Sequence, residues 1–196
     1  MKIIRTVFVS LVLTGFLWCS NSMAAIVWDF QYTGGNIGFL DPVNGEQRRN
    51  TLQTAANNYG ALFSHNATVT MTVTSSEDPN GSTLASAGSE LVFGGNGFGN
   101  NNVIRNKVLF GNDLNGALSD GTLDFNWGMD WGIDTVGSDQ FDFKSTLYHE
   151  LTHALGFASG IWSDGLDSFY NGIDTPGSWD EFDYWLTTAD GTPLID

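Results

Sequence analysis

An α+β fold, in which a long helix and a histidine-bearing helix pack on a twisted, mostly β sheet, is what this sequence predicts. Three observations carry it. Apolar residues alternate with polar ones over Ile26–Tyr32 and over 67–74, as in half-buried strands. Residues 46–63 place Leu52, Ala55, Ala56, Tyr59 and Phe63 on one side at helical spacing. A second stripe, Phe143, Leu147, Leu151, Ala154, Leu155 and Ala158, repeats that spacing near the C-terminal end.

Taken in order, the strand at Ile26–Tyr32 is followed by a loop punctuated by Gly34-Gly35 and Asp41-Pro42. The helix 46–63 comes next, then the strand 67–74, where Val69, Met71 and Val73 alternate with threonines. Residues 90–93 read as a short strand. The Gly- and Asn-rich stretch 94–102 reads as a surface turn, since it lacks the strand and helix context of a nucleotide-binding loop. Residues 123–127 are the last strand before the second helix, which Asp139 or Asp142 would cap. Residues 179–186 suggest a short helix. For Phe125, Trp127 and Trp131 core packing is the favoured use, ahead of lining a substrate groove.

The second helix carries His149-Glu150-Leu151-Thr152-His153, two of the three histidines in the chain. Four residues of helix rise about 6 Å and turn about 40° past a full turn, so both imidazoles leave one face. Their nitrogens can then converge on one metal at about 2.0 to 2.1 Å. Glu150 lies about 100° round, within reach of a metal-bound water and poorly placed as a third ligand. This is the zinc-peptidase pattern. An accidental pair on an ordinary amphipathic helix is the competing reading, but the apolar stripe lies nearly opposite the histidines and would offer them to a cleft. Gly156, three residues past His153, lets the chain leave the helix. The third histidine, His65, follows the first helix and reads as a capping or surface residue.

The stretch 149–157, HELTHALGF, resembles the active-site helix of zinc-dependent metallopeptidases of the zincin group, and follows the metzincin pattern HExxHxxGxxH or HExxHxxGxxD. It is also similar to the HExxHALGF stretch of leishmanolysin-type enzymes and of a set of secreted bacterial metalloproteases, in which a phrase like Asp142-Phe143 precedes the helix. The likeness covers about a dozen residues; beyond them it is one of element order. The resemblance implies a zincin-like sheet-and-helix domain, Zn2+ held by His149 and His153, Glu150 as general base, and a protein or peptide substrate. It departs in two places. Ser159 stands where a metzincin has its third ligand, and no methionine follows Met129 to make the methionine turn. The third ligand is therefore expected among Asp164, Asp167, Asp174, Glu181 and Asp183, with Asp164 favoured because it is nearest, after a Ser159-Gly160 turn. Substrate is expected to lie extended along an edge strand near 123–127.

Residues 1–24 read as a signal peptide. Lys2 and Arg5 precede an apolar stretch at 6–18 that is short for a membrane span, and Ser22-Met23-Ala24 supplies small residues for cleavage. The expected location is secreted, extracellular or periplasmic, without a membrane partner after cleavage. Residues 25–196 are the expected metallopeptidase domain, read as cut short at its C-terminal end and as a monomer. Cleavage would remove Cys19, the single cysteine, and leave no disulfide. Loss of Lys2 and Arg5 leaves 5 basic residues against 22 acids, a net of about −17, which argues against a nucleic-acid partner. Such acidity also admits Ca2+, with Asp130, Asp134 and Asp139 the densest cluster, although their spacing matches no EF-hand loop. The alternative function is a secreted, non-catalytic metal-binding adhesion or binding module, which Ser159 and the absent methionine turn would suit.

Overall fold

A computed structural model describes residues 25–93, 97–161 and 178–194. The leader read at 1–24 and the acids Asp164, Asp167 and Asp174 lie outside the described residues. Three α-helices and mixed sheets make an α+β fold. The elements are β1 (Ile26–Tyr32), α1 (Gly45–Gly60), β2 (Ala67–Ser76), β3 (Ala85–Ser89), β4 (Leu91–Phe93), β5 (Gly97–Asn102), α2 (Val103–Phe110), β6 (Gly121–Asn126), β7 (Trp131–Gly132), β8 (Phe141–Asp142), α3 (Phe143–Ala154) and β9 (Ser178–Asp180).

The main sheet runs β1-β2-β6-β3. The first three strands are parallel, with Trp28 opposite Val69 and Val73 opposite Leu123; β3 closes the sheet antiparallel to β6. One face buries Trp28, Phe30, Val69, Met71, Val73, Leu123 and Phe125 under α1 and α3. The opposite face carries the alternating residues, among them the exposed Val27, Asp29 and Gln31 of β1. At its far end α1 lies so close to β1 that a Cβ on Gly60 would overlap the Ile26 carbonyl oxygen, which explains the absence of a side chain there. Phe39, Phe125, Trp127, Trp131 and Phe143 form one aromatic cluster, with Phe125 and Phe143 centroids 4.7 Å apart. The core reading of Phe125, Trp127 and Trp131 holds.

Three expectations are corrected. Gly and Asn are poor strand formers, so 94–102 reads locally as a turn; yet Gly97–Asn102 is a strand, paired antiparallel to β4 and parallel to β9, a partner nearly eighty residues away. Long-range pairing overrides local preference there. The strand expected at 123–127 is not an edge: β6 lies between β2 and β3. The edge strands are β1 and β3, and the one beside β6 is β3, whose sequence Ala-Ser-Ala-Gly-Ser has too little contrast to show as alternation. Residues 179–186 form no α-helix; β9 ends at Asp180 and one 3-10 turn follows at Asp183–Trp185.

Sequence reading also missed α2, although its ends were marked. Asn102 accepts a hydrogen bond from the Arg105 amide at 2.7 Å, and Gly111 closes the helix at φ +70°. Its buried Val103, Ile104 and Val108 add to the hydrophobic interior, while Lys107 reaches the fully buried Asp120 at 2.8 Å.

Candidate metal centre

Helix α3 positions the candidate site. Asp142, one of the two caps expected, accepts hydrogen bonds from the Lys144 and Ser145 amides at 2.9 and 3.4 Å. Phe143, Leu147, Leu151 and Ala154 are fully buried, so the rotation of the helix is fixed by its apolar face. That rotation leaves His149 exposed and His153 half-buried. The chain leaves the helix through Gly156 at φ +100°, the left-handed region expected of that glycine.

The two rings converge. His149 Nε2 and His153 Nε2 are 2.9 Å apart, with the ring planes crossing at 88°. The other nitrogen of His153, Nδ1, is 2.8 Å from the Phe157 carbonyl oxygen. A carbonyl only accepts, so Nδ1 carries the proton, and in the neutral ring Nε2 presents a lone pair towards His149. Two lone pairs at 2.9 Å would repel unless a proton or a cation lies between them. Two zinc–nitrogen bonds of about 2.05 Å at a tetrahedral angle set their nitrogens about 3.3 Å apart. A small ring rotation supplies the difference, and the pair fits two of the four positions of a zinc ion in donor type and spacing.

Glu150 is only 6 % exposed, and its carboxylate makes no hydrogen bond or ion pair among the described residues. Among the described residues no group of three His, Cys, Asp or Glu side chains is placed to hold a metal. Two of the expected third-ligand candidates can be located, and both have other partners. Glu181 pairs with Arg105. Asp183 is 1 % exposed and accepts hydrogens from Ser159 Oγ at 2.7 Å and from the Gly160 amide at 3.0 and 3.1 Å. Asp164 lies outside the described residues. The aspartates considered for calcium do not converge: Asp130 accepts from Gln140 and Asp134 from Gln47, each at 2.9 Å, and Asp139 from Ser138 at 3.4 Å.

His65 is exposed, five residues beyond the end of α1. It borders a cavity of about 320 Å³ walled by Phe63, Val108, Leu155, Phe157 and Trp185. None of His149, Glu150 and His153 lines that cavity, although Phe157, whose carbonyl faces His153, is part of its wall.

Sheet geometry adds a second feature. Asn126 donates to the Leu84 carbonyl at 2.9 Å and Glu90 to the Asp120 carbonyl at 2.8 Å, so even-numbered residues of this stretch bond to β6. In an antiparallel ladder the intervening Ala85, Ala87 and Ser89 then direct their amides and carbonyls away from it. No backbone partner meets them among the described residues. This free edge lies beside α3.

No protein-family model, no curated protein and no solved structure matches the chain. No helix among the described residues is long and apolar enough to cross a membrane.

Proposed function

We propose that the chain is a secreted zinc-dependent endopeptidase of zincin type. The observation that carries the reading is the convergence of His149 Nε2 and His153 Nε2 on one helix face, with the Phe157 carbonyl fixing the His153 tautomer. The unpartnered Glu150 beside them supports it, as does the free β3 edge along α3. A bound zinc would supply a Lewis acid and lower the pKa of water. His149 and His153 would hold the ion. Glu150 would take a proton from the attacking water and return it to the leaving amine. The outward groups of Ala85, Ala87 and Ser89 would hold an extended peptide by strand addition, in place of the inner strand expected from sequence. A third ligand, with Asp164 favoured, is part of this proposal.

The engagement of Glu181 with Arg105 and of Asp183 with Ser159 and Gly160 favours the second reading, a secreted module that binds metal without hydrolysis. Glu150→Gln separates the two. It preserves shape and both imidazoles while removing the base, so the peptidase reading expects metal retained and cleavage of unfolded casein reduced about 10²- to 10⁴-fold. A variant that cleaves as fast as wild type, or a zinc-loaded wild type that cleaves nothing, overturns the peptidase reading.

A further inference from the structure

We infer that Asp183 is a positioning residue for the histidine pair, acting through residues 157–160; this rests on the metal reading above. Asp183 is a buried carboxylate in no ion pair among the described residues. Its charge is satisfied by hydrogen-bond donors alone: Ser159 Oγ at 2.7 Å, the Gly160 amide at 3.1 Å to Oδ1 and 3.0 Å to Oδ2, and the Asp180 amide at 3.1 Å. Burying a carboxylate is tolerated only when such donors are held in place, so the node is stiff; any donor lost leaves charge unsatisfied. Ser159 Oγ also accepts from the Ile161 amide at 3.0 Å, which draws the next residue into the same node.

The segment pinned here begins with the residue that orients His153. Phe157 receives the His153 Nδ1 hydrogen on its carbonyl at 2.8 Å, donates its amide to the Thr152 carbonyl at 3.3 Å, and sets its ring 6.0 Å from that of Phe182, next to Asp183. Gly156 alone would let this carbonyl swing, since its left-handed backbone carries no side chain to anchor it. Asp183 supplies the anchor from the far side. Without it, Ser159 and Gly160 lose this tether, the Phe157 carbonyl can leave Nδ1, and His153 loses what selects its tautomer and ring angle.

A loop staple with no bearing on the metal would have the same hydrogen bonds, so the test reads the metal site directly. Zinc affinity is measured on the full chain by competition with a chromophoric chelator, and the visible spectrum is recorded with Co²⁺ in place of zinc. Wild type is expected to bind one ion. Asp183→Ala is expected to bind zinc about 10- to 100-fold more weakly, the usual effect of losing a group that orients a ligand, with a changed cobalt spectrum. Ser159→Ala removes one donor and is expected to weaken binding less; Ser159→Thr keeps the hydroxyl and is expected to restore it. Should Asp183→Ala lose its near-ultraviolet dichroism, the Ser159 pair decides. Wild type binding zinc, with the decisive variant equal to it in affinity and cobalt spectrum, overturns this inference alone. Wild type binding no metal overturns the metal reading as well.

Discussion

Tyr59 on α1 donates its phenolic hydrogen to Thr152 on α3 across 2.7 Å. The direction follows from Thr152, whose one hydroxyl hydrogen goes to the Tyr148 carbonyl at 2.7 Å. The ring of Tyr59 also stacks on Tyr148 at 5.4 Å, next to His149. The long helix thus holds α3 at the turn that carries the histidines. Tyr59→Phe keeps the stack and deletes the bond, and is expected to cost about 0.5 to 1.5 kcal/mol, read as a lower urea midpoint at unchanged slope.

Metal content tests the pair itself. Because His149 and His153 supply both located donors, His149→Ala or His153→Ala is expected to abolish tight zinc binding, whereas His65→Ala, which alters an exposed residue bordering the cavity, is expected to leave it unchanged. Elemental analysis after dialysis checks this. Equal zinc in wild type and both pair variants would remove the site.

Tyr32 predicts a signature at alkaline pH. Burial pushes its phenol up to about 12, with the positive charge of Arg49 opposing the shift. An unfolded phenol ionises near 10, so folding favours the neutral form; this stability is fully present below 10 and is lost between about 10 and 12. Spectrophotometric titration at 295 nm is expected to show one tyrosine ionising late, and Tyr32→Phe to remove it. A Tyr32→Phe curve superimposable on wild type would contradict the assignment.

Phe125 is the hub of the aromatic cluster, in contact with Phe39, Trp127, Trp131 and Phe143. Phe125→Ala is expected to cost about 3 to 5 kcal/mol in thermal or denaturant unfolding. A loss below about 1 kcal/mol would mean that the cluster closes over the gap.

Elements whose local preference and burial agree were legible in the sequence. Trp28, Phe30, Val69, Met71 and Val73 alternate because one sheet face is covered and the other is not, and the stripe through Leu147 and Leu151 shows because α3 packs on one side. Residues 97–102 and Ala85–Ser89 were not legible. Gly97 and Asn100 have no intrinsic reason to be extended, and Ala85 and Ala87 differ too little from Ser86 and Gly88 to mark a face. At the site, spacing alone placed His149 and His153 together. The Phe157 carbonyl and the Asp183 node could not be read in advance, since a backbone acceptor leaves no residue-type signal and Ser159 to Asp183 spans 24 residues of chain.

The edge of β3, unpaired among the described residues, has a consequence for how the protein behaves in company. Ala85–Ser89 carries no lysine, no proline and no bulky side chain, the features by which exposed strands usually turn away other strands. Were this edge to take up an extended peptide through backbone groups alone, the same edge of another copy would fit it too. Long-range repulsion between chains of formal net charge −15 would oppose that pairing. Such repulsion fades beyond about 8 Å at physiological ionic strength and is weaker still in strong salt. Association is therefore expected to depend on the solvent, with chains kept apart in low salt and pairing through β3 favoured in high salt.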